Sequence, residues 1–139
     1  MFALQYEEEV PTVDTFAGMF SIASCSVYVL IDTSASCSCI SEECVLACGL
    51  TAKTLPSVDM RVSTPLGFGS PITKLVKSVE VEIEDLHLPI DMLVLSMSDF
   101  DVILGMDWLN RYRVVIDCHE MTLSFKIRGV EVEHKLEKP

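Results

Sequence analysis

The 139-residue chain is short of basic residues, with 10 lysines and arginines against 21 aspartates and glutamates and a formal net charge of −11. Binding of nucleic-acid phosphates needs clustered Lys and Arg, so we expect no nucleic acid to bind directly. The sequence also lacks an apolar run of the roughly 18 residues that a membrane-spanning helix needs. We therefore expect no membrane partner.

The N-terminus lacks the features of a secretory signal peptide. Residues 1–10 contain three consecutive glutamates and no Lys or Arg, whereas a signal peptide begins with basic residues and continues into an apolar segment. We therefore expect a reducing, intracellular setting, in the cytoplasm.

The six cysteines lack the spacing of a zinc knuckle. One residue separates Cys37 from Cys39, three residues separate Cys44 from Cys48, and the histidines come only at position 87 and beyond. Disulfide frameworks are typical of shorter, secreted chains. A small zinc-dependent protein is an alternative that depends on these cysteines alone. We expect free thiols that pack as small apolar side chains, with no metal and no cofactor.

The pattern of apolar residues predicts a mostly β chain. The run Val27–Ile31 is apolar and rich in β-branched residues, which is typical of a strand buried on both faces. Strict alternation of apolar and acidic residues over Val79–Glu84 predicts a half-exposed strand. The predicted strands are Asp14–Ile22, Ser26–Asp32, Ser57–Ser63, Ile72–Ile83, Leu86–Leu95, Val102–Leu104, Arg113–Asp117, Met121–Ile127 and Val130–His134.

Two short helices interrupt the strands. Ser41 is suited to cap the first, acidic residues at 42 and 43 favour its positive end, and Gly49 ends it. The second covers Met106–Tyr112 and contains the only tryptophan, Trp108, which we expect in the core.

No linker or low-complexity tract divides the chain. We expect a single domain over residues 12–134, preceded by a flexible N-terminal extension over 1–11 and followed by a tail over 135–139. The last residues, from 133 onward, are predicted to be a frayed end.

Asp32 stands at the end of a predicted buried strand, where Thr33, Ser34 and Ala35 follow it. A buried carboxylate is costly unless it is hydrogen-bonded or shares a proton. One interpretation is a catalytic carboxylate that a substrate backbone can approach over small residues. The other is an aspartate that caps the following turn through the backbone. The local sequence leaves both open.

A second apolar triplet, Val102–Leu104, ends at Gly105 before the second helix. Glycine here permits the close approach of another segment or a positive φ, although an ordinary strand-to-helix turn is the alternative. The segment 114–118 weakly repeats 29–33, in that apolar residues again precede an aspartate. We interpret that likeness as two ordinary strand ends.

Together these segments resemble the retroviral-type aspartic proteases. The family motif has two apolar residues followed by Asp-Thr/Ser-Gly-Ala, then a glycine-tipped flap hairpin, then apolar-apolar-Gly before a short helix. The matching segments here are 30–35, 65–70 and 103–105. The stretches 97–109 and 115–118 are especially similar to the protease domain of plant Ty3/gypsy-class retrotransposon polyproteins.

The resemblance implies a retropepsin-like closed barrel with one or two short helices that works as a homodimer. The chain has one Asp motif, so a complete site would need Asp32 from each of two copies. One carboxylate would be ionised and act as the general base on a water, and the other, protonated, would polarise the scissile carbonyl. The implied activity is endopeptidase cleavage of the chain's own retrotransposon polyprotein, in the cytoplasm or within virus-like particles.

The resemblance also implies roles for the residues around Asp32. Thr33 would link the two active-site loops through its hydroxyl, with Ser34 and Ala35 beside it. That loop would be supported from behind by Ile103, Leu104 and Gly105. A flap over the polypeptide substrate would consist of Pro65, Leu66, Gly67, Phe68 and Gly69, although an ordinary hairpin is the alternative.

Ser34 departs from the motif, because the family has glycine at that position. The family glycine lies against the substrate, and serine adds a β-carbon and a hydroxyl and restricts φ. A second function therefore stays open, a catalytically weak or inactive retropepsin-like binding or dimerisation module. If Ser34 is what impairs the enzyme, Ser34→Gly should gain activity.

Overall fold

The computed structural model describes residues 15–55 and 74–139 with their side chains, and residues 60–62 and 70–72 as backbone. Within these ranges the chain forms strands and two short helices, as the sequence predicts. The elements are β1 (Thr15–Ile22), β2 (Cys25–Asp32), β3 (Cys39–Ser41), α1 (Glu42–Ala47), β4 (Lys53–Thr54), β5 (Met60–Val62), β6 (Ser70–Ile72), β7 (Lys74–Ile83), β8 (Leu86–Leu95), β9 (Val102–Leu104), α2 (Met106–Arg111), β10 (Val115–Asp117), β11 (Thr122–Ile127) and β12 (Val130–Lys135).

Six strands close into a barrel in the order β1-β2-β9-β3-β8-β7, because β7 also pairs with β1. The predicted closed barrel is thereby confirmed. Strands β2 and β9 are parallel, with Leu30 opposite Ile103 and Ile31 opposite Leu104. Parallel strands end at the same edge of a sheet, so this pairing brings Asp32 and Gly105 together.

The barrel interior is filled by the side chains that the sequence pattern assigns to it. Val29 and Ile31 point to one face of β2 and Leu30 points to the other, and all three are buried, which confirms a strand covered on both faces. Val81 is buried between exposed Glu80 and half-buried Glu82, which confirms the half-exposed strand. Trp108 is also fully buried, as predicted, and its indole N–H donates to the Leu88 carbonyl at 3.2 Å.

The first helix begins and ends where its sequence indicates. The Ser41 hydroxyl accepts the N–H of Cys44 at 3.0 Å, so it caps α1 as predicted. Gly49 follows the helix with φ of 68°, a left-handed conformation that glycine adopts without a β-carbon clash. No helix in the described ranges is long and apolar enough to cross a membrane.

The end of the chain is not frayed, so that prediction is wrong. Strands β10, β11 and β12 form a three-stranded sheet, and Leu136 beyond it is 5% exposed. Glu137 then exchanges two backbone hydrogen bonds with Ala17, both 2.8 Å long. A buried leucine and a paired backbone hold this segment against β1. The predicted extension over 1–11 lies outside the described residues.

The region of the predicted flap is described only at its base. Strands β5 and β6 pair antiparallel, with Met60 opposite Ile72 and Val62 opposite Ser70. β5 lies within the predicted Ser57–Ser63 strand, and Ile72 of β6 together with β7 accounts for the described part of the predicted Ile72–Ile83 strand. Residues 63–69, and with them all five predicted flap residues, lie outside the described part of the chain.

Candidate active site

Asp32 ends β2 with its side chain fully buried. Its Oδ1 accepts two hydrogen bonds from the same residue, the Ser34 N–H at 2.9 Å and the Ser34 hydroxyl at 2.7 Å. Ala35 is also buried, and its N–H donates to the Asp32 carbonyl at 3.2 Å. Thr33 and Ser34 are exposed, so the carboxyl lies directly beneath a loop that solvent reaches.

The second carboxyl oxygen of Asp32 is the unusual feature of this loop. Oδ2 is buried and has no hydrogen-bond partner among the described residues. Leaving a buried polar atom unpaired costs about 1–3 kcal/mol, and more for a charged group. A polar group from outside the described residues would remove that cost.

Gly105 supports the Asp32 loop from behind, through contacts that only glycine allows. A β-carbon at position 105 would lie 2.7 Å from the Ala35 carbonyl oxygen and 3.0 Å from that of Cys37. The next two residues also bind this loop. The Met106 N–H donates to the Ala35 carbonyl at 2.7 Å, and the Asp107 N–H donates to the Ser36 carbonyl at 3.2 Å. The close approach that the sequence suggested for Gly105 is thus present.

Asp107 and Ser38 also bind the loop to α2, and the sequence reasoning missed both residues. The Ser38 hydroxyl donates to Asp107 Oδ1 at 2.6 Å, and the Ser38 N–H donates to Oδ2 at 3.0 Å. The same hydroxyl oxygen accepts the Gly105 N–H at 3.1 Å. These residues are 69 positions apart, so no local pattern could connect them.

Ser34 fits its position without backbone strain. Of the described non-glycine residues, eight have a positive φ, and Ser34 is not one of them. Its hydroxyl is directed back to Asp32. The φ restriction that serine imposes is therefore no obstacle at this position.

The structure brings the predicted loop residues together. Ile103 and Leu104 are fully buried and pair with the strand that ends at Asp32. Thr33 is exposed and directly follows Asp32. Whether these residues act on a substrate stays a prediction, as do the roles of the flap residues.

Asp117, the other strand-end aspartate, has a different environment. It is exposed, and its Oδ1 accepts the N–H groups of His119 at 3.0 Å and Glu120 at 2.9 Å. This is the turn-capping arrangement that was the alternative for Asp32. The segments 114–118 and 29–33 thus share a strand end but not the environment of the aspartate. This agrees with the interpretation of two ordinary strand ends rather than a repeat.

The Cys39 thiol near the loop is buried rather than reactive. Burial, with smaller contributions from the neighbouring Cys37 and Asp107, raises the pKa of this thiol to about 12. Cys39 is fully buried in the barrel. Within the described ranges, no three His, Cys, Asp or Glu side chains gather in a way that could hold a metal ion.

This geometry agrees with the result of a family comparison. Residues 1–129 match the family described as retroviral aspartyl protease. The chain belongs to that family. The likeness extends over nearly the whole chain, including the Asp32 loop and the Gly105 turn that supports it.

Individual curated proteins also match most of this chain. The UBA domain-containing protein Mud1 of Schizosaccharomyces pombe is 33% identical over 106 residues, which cover 76% of this chain and 31% of Mud1. DNA damage-inducible protein 1 of Chaetomium globosum is 34% identical over 108 residues, which cover 76% of this chain and 23% of that protein. The chain thus spans less than a third of the length of these relatives.

A solved structure supports the fold. The retroviral protease-like domain of Ddi1 from Leishmania major superposes with a TM-score of 0.63 at 18% identity, covering 89% of this chain and 94% of that one. At this level of identity the likeness concerns the fold alone. The retropepsin-like fold expected from the sequence is confirmed.

Proposed function

We propose that this retropepsin-like chain is an aspartic endopeptidase whose complete site contains Asp32 from each of two copies. The observation that supports the proposal best is the buried Asp32 carboxyl with its unpaired Oδ2, held at the end of a barrel strand. Such an oxygen needs a polar partner that the described residues do not supply. A second Asp32 and a shared water would supply one.

The two strand-end aspartates support the proposal of two copies. Asp32 is buried with an unpaired oxygen, whereas Asp117 is exposed and caps a turn. Asp117 therefore cannot serve as the second carboxyl beside Asp32. Members of the family act on polypeptides as dimers, which favours the same arrangement here.

The chemistry is acid–base catalysis by an unequal pair of carboxyl groups. Two carboxylates in close contact repel each other, so the pair retains one proton. The ionised member takes a proton from the water that attacks the peptide carbonyl, and the protonated member donates to the carbonyl oxygen. The hydrogen bonds from Ser34 to Oδ1 and the contacts of Gly105 with the loop keep each carboxyl in place.

For the substrate, we propose the polyprotein of a Ty3/gypsy-class retrotransposon of which this chain is the protease segment, cleaved inside the cell. The segments 97–109 and 115–118 support this proposal through their likeness to plant members of that class. The names of the relatives given above do not mention a retrotransposon, so cleavage specificity is the direct test. A preference for sites that flank the segment in its own precursor would support the proposal, and indifference to those sites would contradict it.

The experiment is cleavage of a peptide library at mildly acidic pH and high protein concentration, with sedimentation to measure dimer formation. Asp32→Asn keeps the side-chain shape and removes the base, so cleavage should fall at least a hundredfold. Asp117→Asn is the matched control and should leave cleavage unchanged. Equal loss in both variants, or none in Asp32→Asn, would place the chemistry elsewhere.

The alternative function is a non-catalytic dimerisation module, because Ser34 replaces the motif glycine. A folded, dimeric protein that cleaves nothing in the library would favour it. The Ser34 hydroxyl is bonded to Asp32 and the Ser34 backbone is unstrained, so we expect cleavage instead.

A further inference from the structure

Ser34 makes two contacts with Asp32, and only one of them is available to a glycine. The Ser34 N–H donates to Asp32 Oδ1 at 2.9 Å, a bond that any residue at this position can make. The Ser34 hydroxyl donates to the same oxygen at 2.7 Å. The second bond exists because serine stands where the family motif has glycine.

We propose that Ser34 is a positioning residue, whose hydroxyl fixes the orientation of the Asp32 carboxyl. This inference deepens the proposed function and rests on it. With both donors on Oδ1, the carboxyl is held so that Oδ2 is the oxygen that meets the water and the second copy. The serine then supports catalysis rather than impairing it.

The physical reason lies in the torsion of the aspartate side chain. The last torsion of Asp joins an sp³ to an sp² carbon, so its minima are broad and the carboxyl plane turns easily. One donor restrains that plane weakly, whereas two donors on the same oxygen, from the backbone and from a side chain, restrain it in two directions. Reacting groups need to be held within about 0.5 Å and 10–20° of the productive geometry.

The direction of the hydroxyl also bears on substrate binding. A hydroxyl bonded to Asp32 Oδ1 is engaged within its own loop. The β-carbon is the other group that Ser34 adds relative to glycine. The hydroxyl and the β-carbon can therefore be tested separately.

Four variants separate these contributions. Ser34→Ala removes the hydroxyl and keeps the β-carbon, Ser34→Gly removes both, and Ser34→Thr keeps both. Ser36→Ala, which removes an exposed hydroxyl from the same loop, is the matched control. Steady-state cleavage of one library-derived peptide gives kcat and KM for each, and urea unfolding measures stability.

We expect kcat to fall about tenfold in Ser34→Ala with KM within twofold of the parent, since a misplaced reacting group slows the chemical step more than binding. Ser34→Thr should recover most of kcat, Ser34→Gly should fall as Ser34→Ala does, and Ser36→Ala should match the parent. An unchanged or higher kcat in Ser34→Ala or in Ser34→Gly would overturn the proposal. So would an equal loss in Ser36→Ala.

A second measurement does not depend on activity. In protein labelled with ¹³C at the aspartate carboxyl carbons, the Asp32 resonance should shift in Ser34→Ala and return toward the parent position in Ser34→Thr. An Asp32 resonance that is unmoved in Ser34→Ala would contradict the proposal even if no cleavage is found. A parent that shows no Asp32-dependent cleavage would instead overturn the proposed function, while the resonance still decides the role of Ser34.

Discussion

Leu136 lies against Gly18 of β1, so close that a β-carbon on Gly18 would be 3.3 Å from Leu136 Cδ2. The Leu136 N–H donates to the Met121 carbonyl at 2.7 Å, and the next residue pairs with Ala17. The absence of a side chain on Gly18 thus provides the space that Leu136 fills. Residues beyond the last strand are part of the barrel wall.

Leu136→Ala should therefore destabilise the fold. Replacing a buried leucine by alanine costs about 2–5 kcal/mol, and we expect about 3 kcal/mol here. The free energy of unfolding in urea measures it. A chain ending at Glu137, which lacks only two exposed residues, is the control and should be as stable as the parent. A stable Leu136→Ala variant would mean that the chain end is loosely held.

Gly105→Ala should lower the free energy of unfolding more than Gly18→Ala does. The new β-carbon at 105 meets backbone oxygens of the Asp32 loop, whereas the one at 18 meets the end of a flexible leucine. Overpacking costs about 1–3 kcal/mol, so we expect about 3 kcal/mol for Gly105→Ala and about 1 kcal/mol for Gly18→Ala.

Urea unfolding compares the two glycine variants, and the peptide cleavage assay reports on the loop. Gly105→Ala should also lose cleavage, because the loop that holds Asp32 must shift. An equal loss of unfolding free energy in the two variants would show that the contact between Gly105 and the loop is not tight.

Asp107→Ala should loosen the connection between the Asp32 loop and α2. The change leaves the buried Ser38 hydroxyl and N–H without their acceptor, and hydrogen bonds to charged groups contribute about 1.5–3 kcal/mol. We expect the free energy of unfolding to fall by about 3 kcal/mol. Asp99→Ala removes an exposed carboxylate and should change it by less than about 0.5 kcal/mol. The same small change in both variants would contradict the anchoring role.

Alkaline pH should destabilise the fold through its buried thiols. Burial raises the pKa of both Cys39 and Cys44 from 9.0 to about 12. The folded state therefore favours the protonated thiols. Their contribution to stability is complete below pH 9 and is lost as pH rises from about 9 toward 12, because the unfolded chain then releases these protons first.

Unfolding in urea at several pH values between 8 and 10.5 measures this dependence. The free energy of unfolding should fall over that range, and it should fall less steeply in Cys39→Ala. Cys118→Ala, which removes an exposed thiol, should keep the slope of the parent. A slope that Cys39→Ala leaves unchanged would assign the pH dependence to other groups.

Much of the fold follows from local patterns, because those patterns encode burial and turn geometry directly. The apolar run Val27–Ile31 specified a strand covered on both faces, and Ser41 and Gly49 marked the limits of α1. The bounds of β8 and β9 also agree with the sequence. The C-terminal end was harder to predict, since nothing in the residues after 133 indicates that Leu136 packs against Gly18.

The sequence predicted only part of the candidate site. Asp32 and its three following residues were found because they are contiguous and resemble a known motif, and Gly105 was found because it ends a second apolar triplet of that motif. Ser38 and Asp107 were not found, since their contact depends on where α2 meets the loop. The bond from the Ser34 hydroxyl to Asp32 was missed as well, because its direction depends on a side-chain rotamer.

The sequence by itself determined a mostly β chain, its two short helices and the loop that holds Asp32, because hydrophobic periodicity, caps and turn residues act over a few neighbouring positions. The tertiary structure alone decided which strand-end aspartate is buried. Asp32 and Asp117 both follow apolar residues, yet the parallel pairing of β2 with β9 covers the first, while the second stays at an exposed turn. Burial depends on which distant segments pack against a residue, and that information is distributed over the whole chain.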